Sequence, residues 1–181
     1  MKTYHTILMD PPWNFKTYSK KGQGRSAEKH YPCSALERII STPPPAEDNC
    51  ALFMWVTDPF LEKGLAVLRS WGFTYKTVAF TWVKIIKNPS ILAKDSYPMG
   101  MGYWTRSNPE MCLLGTKGKP KRLSASVRQL IVAPRREHSR KPDEIYERIE
   151  YLVGGPYLEM YSRTDRTGWD AMGNQTGRWA A

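Results

Sequence analysis

Short apolar runs alternate along the chain with stretches whose apolar residues recur at helical spacing. The runs are too short for helices and are rich in Val, Ile, Phe and Trp, which predicts buried strands. They lie at residues 7–9, 51–56, 75–84, 110–115, 129–132 and 157–161. The helical pattern occupies residues 35–40, 58–71 and 143–153. This alternation predicts an α/β fold with a mostly parallel sheet and helices on both faces.

The length of the chain bounds its organisation. Its 181 residues are enough for one hydrophobic core and few for two. No internal repeat, low-complexity segment or interdomain linker interrupts the predicted elements. We therefore predict a single domain over residues 1–181, with residues 168–177 as a short strand or turn that returns to the sheet.

The first apolar run ends at Asp10-Pro11-Pro12-Trp13. Because proline cannot donate to a strand ladder, the pair ends the strand and leaves Asp10 at its carboxyl end, where open α/β sheets bind ligands. Asp10 and the carbonyl of Pro11 could accept the two amino hydrogens of a planar base, and Trp13 could stack on that base. The alternative is a simple strand-ending turn, with Trp13 in the core or at its rim.

Two stretches have neither helical nor strand periodicity and are predicted to be loops. Residues 16–31 are polar and basic, and they form either a solvated surface loop or a lid over substrate. Residues 87–108 are long for a connection and carry aromatic and basic side chains, so we predict substrate contact there. The candidate substrate-binding residues are Tyr31, Lys84, Tyr103, Trp104 and Arg106.

The charge of the chain changes the expected partner. The sequence has 27 Lys and Arg against 17 Asp and Glu, and a net charge of +10 favours a polyanion. Seven Trp and ten Tyr accompany this charge, and aromatic rings among basic residues suit stacking on unpaired bases. Residues 117–141 hold nine basic residues and one acid, Glu137, and we expect these charges to follow phosphates.

Several classes of protein are disfavoured. The cysteines Cys33, Cys50 and Cys112 lie far apart without a nearby His pair, so we predict no zinc site, no other metal and no disulfide framework. The first residues lack the apolar core of a signal peptide, and the longest apolar run, 51–56, is too short to span a bilayer. No basic amphipathic helix suggests a membrane surface. We expect a soluble, cytoplasmic protein without a membrane partner.

Asp10-Pro11-Pro12-Trp13 resembles the catalytic motif of the MT-A70 family of methyltransferases, which modify the exocyclic N6 amino group of adenine. Further segments resemble the same family in the same order. They are Tyr31-Pro32 with the helix after it, residues 102–106 with 110–118, residues 138–144, and residues 158–163 followed by Gly168-Trp169 and Gly173-Asn174. The resemblance covers nearly the whole chain, and the chain is similar to a compact prokaryotic or phage-type member.

The resemblance implies a Rossmann-like methyltransferase fold with permuted motif order, in which the catalytic motif comes early and much of the cofactor site late. It implies S-adenosylmethionine as the cofactor, with Lys141 at its carboxylate. The other residues implied at the cofactor are Asp10, Arg163, Asn174 and Gln175. Positioning and hydrogen bonds to the amino nitrogen should then provide most of the catalysis, with no strong general base needed beforehand.

The expected function is therefore methylation of adenine in nucleic acid, with DNA favoured over RNA and an unpaired or flipped adenine as target. Two alternatives stay open. A catalytically inactive nucleic-acid-binding subunit of the same fold is disfavoured by the intact motif. A non-enzymatic single-strand-binding protein is disfavoured by the ordered late segments. The sequence leaves open the target context and whether the protein acts as a homodimer or with a partner subunit.

Overall fold

The computed structural model describes residues 2–13, 36–88, 94–100, 102–137, 139–173 and 176–177. Some of the sequence predictions fall outside these residues. They are the loop at 16–31 with Tyr31, and the cofactor residues Asn174 and Gln175.

Seven strands and three α-helices make up the regular part of the described chain. The strands are β1 (Tyr4–Met9), β2 (Ala46–Val56), β3 (Thr74–Ile85), β4 (Glu110–Lys117), β5 (Leu130–Pro134), β6 (Tyr157–Met160) and β7 (Trp169–Met172). The helices are α1 (Leu36–Ile40), α2 (Leu61–Ser70) and α3 (Glu144–Leu152), with short 3-10 helices at Asp58–Phe60 and Lys94–Ser96.

The strands form one sheet in the order β5-β3-β4-β2-β1-β6-β7. β1 is parallel to both of its neighbours, β2 and β6, and the pairs β3–β5 and β6–β7 are also parallel. Only β4 among the described strands runs antiparallel, between β2 and β3. The predicted α/β fold with a mostly parallel sheet is confirmed, and it is consistent with a Rossmann-like fold.

Helices cover both faces of the sheet, as predicted. On one face, Ile39 of α1 and Leu68 of α2 pack with Met54 of β2. On the other face, Ile149 of α3 packs with Phe53 of β2. Because β2 is buried on both sides, its apolar run from residue 51 to 56 is continuous and does not alternate with polar residues.

The position of Asp10 follows from the topology. The connections through α1 and α2 cover one face of the sheet, and the connection through α3 covers the other. β1 lies between β2 and β6, where the order of the strands changes direction. Sheets of this kind bind ligands at the carboxyl ends of their strands beside such a switch point. Asp10 directly follows the last residue of β1, so the fold places it there.

Most element predictions agree with the structure, with differences at their ends. The helix predicted at 58–71 begins with the 3-10 turn Asp58–Phe60, and α2 ends at Ser70 before Gly72, whose φ of +79° suits a helix stop. Within 87–108, the described residues contain only the short 3-10 helix Lys94–Ser96. The tail forms β7 beside β6. In the described part of the chain, no helix is long and apolar enough to cross a membrane.

Candidate active site

The residues after β1 form a tight turn at the carboxyl edge of the sheet. The backbone N–H of Trp13 donates to the carbonyl of Pro11 at 2.8 Å, which closes a three-residue turn around Pro12. Pro11 is buried, and Asp10 and Pro12 are partly exposed. The Pro11 carbonyl thus already accepts one hydrogen bond, and its second lone pair is the one that a substrate amino group could use.

Trp13 is held in the core beside this turn. Its side chain is only 7% exposed, and its ring stacks on Phe60 with centroids 5.7 Å apart. Its indole N–H donates to the carbonyl of Trp55, near the end of β2, at 3.1 Å. Trp13 therefore ties the turn to the neighbouring strand. Its stacking on a base stays a prediction.

Four charged side chains of alternating sign form a row that ends at Asp10. Lys141 Nζ lies 2.7 Å from a carboxylate oxygen of Asp10 and 3.2 Å from one of Glu110, and Lys84 Nζ lies 2.7 Å from Glu110. Their side chains are 15–27% exposed. We call Lys84, Glu110, Lys141 and Asp10 the charge row. It joins the ends of β1, β3 and β4 to the segment before α3.

Burial acts on the two acids of the charge row with different outcomes. Burial raises the pKa of Asp10 above its ordinary value, although the nearby Lys141 ammonium opposes the shift. Burial would also raise the pKa of Glu110, but Lys141 and Lys84 outweigh it and lower that pKa to about 2. Glu110 is thus ionised at neutral pH and balances the charge of the lysines. Asp10 is a carboxylate with an increased tendency to take a proton, which is typical of functional sites.

A cleft beside Asp10 contains the predicted cofactor residues that are described. Asp10, Lys141 and Arg163 line it together, as do Glu159 and Tyr161. The sequence predictions did not include Glu159, the residue of β6 whose carboxylate accepts hydrogen bonds from Tyr146 at 3.0 Å and Ser162 at 2.7 Å. An acid inside a short apolar strand next to the predicted site was the signal that could have identified it.

Two residues that line the cleft have left-handed backbone. Three non-glycine residues in the described part of the chain have positive φ: Trp104 at 66°, Ser139 at 64° and Tyr161 at 62°. Ser139 and Tyr161 line the cleft with Asp10. Trp104 lies in the segment between β3 and β4. Such conformations cost energy and persist mainly where the surroundings impose them, often at functional sites.

A second cavity, of about 410 Å³, lies on the far side of the charge row. Lys84, Glu110, Tyr103 and Arg135 are among its lining residues. The structure therefore brings the predicted substrate residues Lys84 and Tyr103 to one cavity. Glu110 was not predicted as a site residue, and an acid at the start of the apolar run 110–115 was the signal available for it.

The other predicted substrate residues lie at the surface. Trp104 and Arg106 belong to the segment that lines this cavity, and both side chains are exposed. Their role in substrate binding stays a prediction. Among the residues described, no three His, Cys, Asp or Glu side chains come together as metal ligands.

The fold is consistent with the class of Rossmann-like methyltransferases, and comparison with known proteins gives the family. Residues 4–175 match the MT-A70 family model, and the chain belongs to the MT-A70 methyltransferase family. This confirms the family to which the sequence motifs pointed.

The relatives differ in how much of their length the chain spans. The Type II methyltransferase M.MunI of a Mycoplasma species is 32% identical over 192 residues, covering 95% of this chain and 77% of that protein. The N(6)-adenosine-methyltransferase catalytic subunit METTL3 of Homo sapiens is 30% identical over 176 residues, covering 95% of this chain and 28% of its own length. An MT-A70-like N(6)-adenosine-methyltransferase of Arabidopsis thaliana is 32% identical over 177 residues, with 24% of its length covered.

Proposed function

We propose that this protein transfers a methyl group from S-adenosylmethionine to the exocyclic amino group of adenine in nucleic acid, with DNA favoured over RNA. The observation that carries the proposal is the position of Asp10. This acid follows β1 at the switch point of the sheet and pairs with Lys141 at 2.7 Å. It lines the cleft, and it is one end of the charge row, whose other end lines the second cavity. Membership of the MT-A70 family supports the chemistry.

The chemistry of the cleft suits the amino-acid end of S-adenosylmethionine, which carries a carboxylate and an ammonium group. Lys141 and Arg163 offer the cations for the carboxylate, and Asp10 and Glu159 offer carboxylates for the ammonium group. These residues would hold the cofactor, which supplies a methyl group on a positively charged sulfur. Asn174 and Gln175 remain predicted contributors to the same site.

Asp10 and Pro11 would orient the target amino group. Lys141 bonds to one oxygen of Asp10, and a carboxylate has acceptor capacity for an amino hydrogen as well. The remaining lone pair of the Pro11 carbonyl would accept the other hydrogen. Two acceptors in fixed positions aim the nitrogen lone pair and favour a pyramidal, more nucleophilic nitrogen.

Asp10 would also accept the proton that the amino group loses when its nitrogen bonds to the methyl carbon. Burial raises the pKa of Asp10, so the carboxylate can accept this proton at the end of the reaction. Glu110, with a pKa of about 2, stays ionised and holds Lys141 in place when Asp10 is neutral.

The net charge of +10 supports a nucleic acid as the substrate polymer. DNA is favoured because the chain is similar to compact prokaryotic members and spans 77% of a Type II methyltransferase, but about a quarter of the N(6)-adenosine-methyltransferases. Because a stacked, paired adenine hides its amino group from a cleft, the target base must be unpaired or flipped.

The proposal is tested by incubating the protein with labelled S-adenosylmethionine and matched oligonucleotides: single-stranded DNA, duplex DNA and RNA. We expect label on adenine, strongest in DNA, and binding of the cofactor alone by calorimetry. Cofactor binding without label on any substrate would favour the inactive-subunit alternative. Failure to bind the cofactor at all would contradict the proposal and favour a single-strand-binding protein.

A further inference from the structure

One aromatic side chain near the site extends fully into solvent. Trp104 has a relative exposure of 106%, the highest of any large apolar side chain in the described part of the chain. Its neighbour Tyr103 is 51% exposed. Burying a tryptophan is strongly favourable, so a ring held this far out calls for a partner.

The backbone holds Trp104 at the tip of a strained turn. The N–H of Thr105 donates to the carbonyl of Tyr103 at 2.7 Å, and Trp104 between them has a φ of 66°. This is a γ-turn with positive φ at its centre, a rare and strained form. This conformation is unfavourable for a bulky residue, and it persists only where the surrounding structure holds the residue in it.

The segment that carries the turn is anchored at its base. The side-chain amide of Asn108 donates to the carbonyls of Lys84 at 3.0 Å and Pro98 at 2.8 Å, and it accepts from the backbone N–H of Lys84 at 3.0 Å. The N–H of Gly100 donates to the carbonyl of Ser107 at 2.6 Å across the segment. Asn108 thus bonds to the backbone of Lys84, whose side chain belongs to the charge row. These bonds tie the base of the segment to the active site.

Glycine allows the chain to fold this tightly. A Cβ atom at Gly102 would lie 2.1 Å from the carbonyl oxygen of Thr105, so no other residue can occupy the position without moving the turn. Close backbone contacts thus shape the turn, and the Trp104 ring that it carries is fully exposed.

The surroundings of Trp104 identify the kind of partner. Arg106 adjoins the turn, and Lys84 and Arg135 line the cavity of about 410 Å³ that the same segment encloses. Cores of protein–protein interfaces are depleted in charge, whereas nucleic-acid sites combine cations with exposed rings. The cavity has a volume typical of small-molecule pockets, which is sufficient for a base.

We propose that Trp104 is a wedge that enters the base stack of a paired substrate beside the target adenine. Apolar side chains that insert between base steps unstack them, and the ring would replace the stacking partner that the flipped adenine leaves behind. Tyr103, Lys84 and Glu110 line the cavity next to the wedge, through which the flipped base would pass toward Asp10. The inference deepens the proposed function and rests on it.

The test compares one oligonucleotide in three forms: single strand, duplex, and duplex with an abasic site opposite the target adenine. The variants are Trp104→Ala, Trp104→Phe and the control Tyr151→Ala, which removes an exposed aromatic ring from α3 away from the site. We expect Trp104→Ala to lower kcat/KM on the duplex about tenfold or more, the loss expected for one base–aromatic stack, and by about threefold or less on the single strand. Trp104→Phe should keep most of the wild-type activity on the duplex. Trp104→Ala should regain most of the activity on the abasic duplex, and Tyr151→Ala should match the wild type on every form.

A second readout separates the wedge from the reaction. With 2-aminopurine at the target position, fluorescence should rise when the wild type binds the duplex and should not rise with Trp104→Ala. If the wild type methylates no substrate, the proposed function fails, while the 2-aminopurine signal still decides for or against the wedge. Equal losses on single strand and duplex, wild-type activity restricted to single strands, or a change of oligomeric state as the sole effect of Trp104→Ala would each overturn the wedge.

Discussion

Asp10 and Asp170 are both paired with a lysine, and their surroundings shift the two pKa values in opposite directions. Asp170 in β7 accepts hydrogen bonds from Lys2 and from Tyr4, and these bonds lower its pKa at a surface where its side chain is 45% exposed. Asp10 has a comparable partner in Lys141, yet burial raises its pKa. An exposed pair needs no functional explanation, because such pairs form at little cost. A partly buried carboxylate whose surroundings disfavour its charge is a candidate functional group, and the proposed chemistry gives Asp10 such a function.

The largest expected effect is on turnover, and it separates the two aspartates. Asp10→Asn replaces an acceptor of the target amino group with an amide of the same shape, so methyl transfer should fall about 100-fold or more. Asp170→Asn is the matched control and should keep wild-type turnover. Binding of S-adenosylmethionine by calorimetry should stay measurable for both. A folded Asp10→Asn protein within about threefold of the wild type would remove Asp10 from the mechanism.

The next effect is on stability. Lys141→Met leaves Asp10 and Glu110 buried near each other without their shared cation, and breaking a buried ion pair this way costs about 3–5 kcal/mol. Urea unfolding should show this loss, whereas Lys2→Met at the exposed pair should hardly change the midpoint. Adding Asp10→Asn to Lys141→Met should recover part of the stability, because it removes the carboxylate left without its cation, whereas Glu110 keeps Lys84 at 2.7 Å. Equal small losses for both lysine variants would mean that the charge row is not effectively buried.

The pH dependence of stability sharpens the contrast within the charge row. The pKa of Glu110 is lowered from 4.5 to about 2, so its ionised form stabilises the fold above pH 4.5, and this stabilisation is lost as the pH falls toward 2. The contribution amounts to at most about 3 kcal/mol. The raised pKa of Asp10 acts in the other direction, since stability from its protonated form is lost as the pH rises through that pKa.

Thermal melting of the wild type and Glu110→Gln between pH 2 and 7 checks this sign. The stability difference between the two proteins should be largest above pH 4.5 and should shrink toward pH 2. A difference that grows as the pH falls would contradict the assignment of Glu110 as the ionised member.

The smallest expected effect concerns Trp13. Trp13→Phe keeps a ring beside Phe60 but loses the hydrogen bond to the Trp55 carbonyl, so unfolding free energy should drop by about 1 kcal/mol and turnover by a few-fold. Trp13→Leu loses the ring as well. If Trp13 only anchors the turn, both variants should leave KM for the oligonucleotide near the wild type. A rise in KM confined to Trp13→Leu would show that the ring stacks on the base, as the sequence suggested.

The sequence was sufficient to predict the layers of the fold and the place of Asp10 at the end of β1, but not the side chains that pair with Asp10. Apolar runs such as 51–56 predict buried strands, yet they do not reveal direction, because a strand buries the same side chains either way. The antiparallel placement of β4 between β2 and β3 therefore came from the structure, and with it the position of Glu110 beside Lys141. Motif resemblance placed Lys141 at the cofactor, but its bond to Asp10 joins residues 131 positions apart.

The solvent exposure of Trp13 and of Trp104 could not be predicted from the sequence either. Both residues were predicted to contact the substrate, Trp13 by stacking on a base and Trp104 as part of the segment 87–108. The structure buries Trp13 to 7% exposure and leaves Trp104 fully exposed. The difference depends on Phe60 and Trp55, which reach Trp13 only through the packing of β2 against β1.

The central claim is that Asp10 acts on the exocyclic amino group of adenine, and one substrate change tests it most directly. In the oligonucleotide that labels best, the target adenine is replaced with purine, which has the same rings without the amino group. Nucleoside mass spectrometry after digestion then identifies any methylated base. We predict N6-methyladenine from the adenine substrate with the wild type, loss of this product with Asp10→Asn, and no methylation of the purine substrate. Methylated purine, or adenine methylated on a ring nitrogen, would contradict the account.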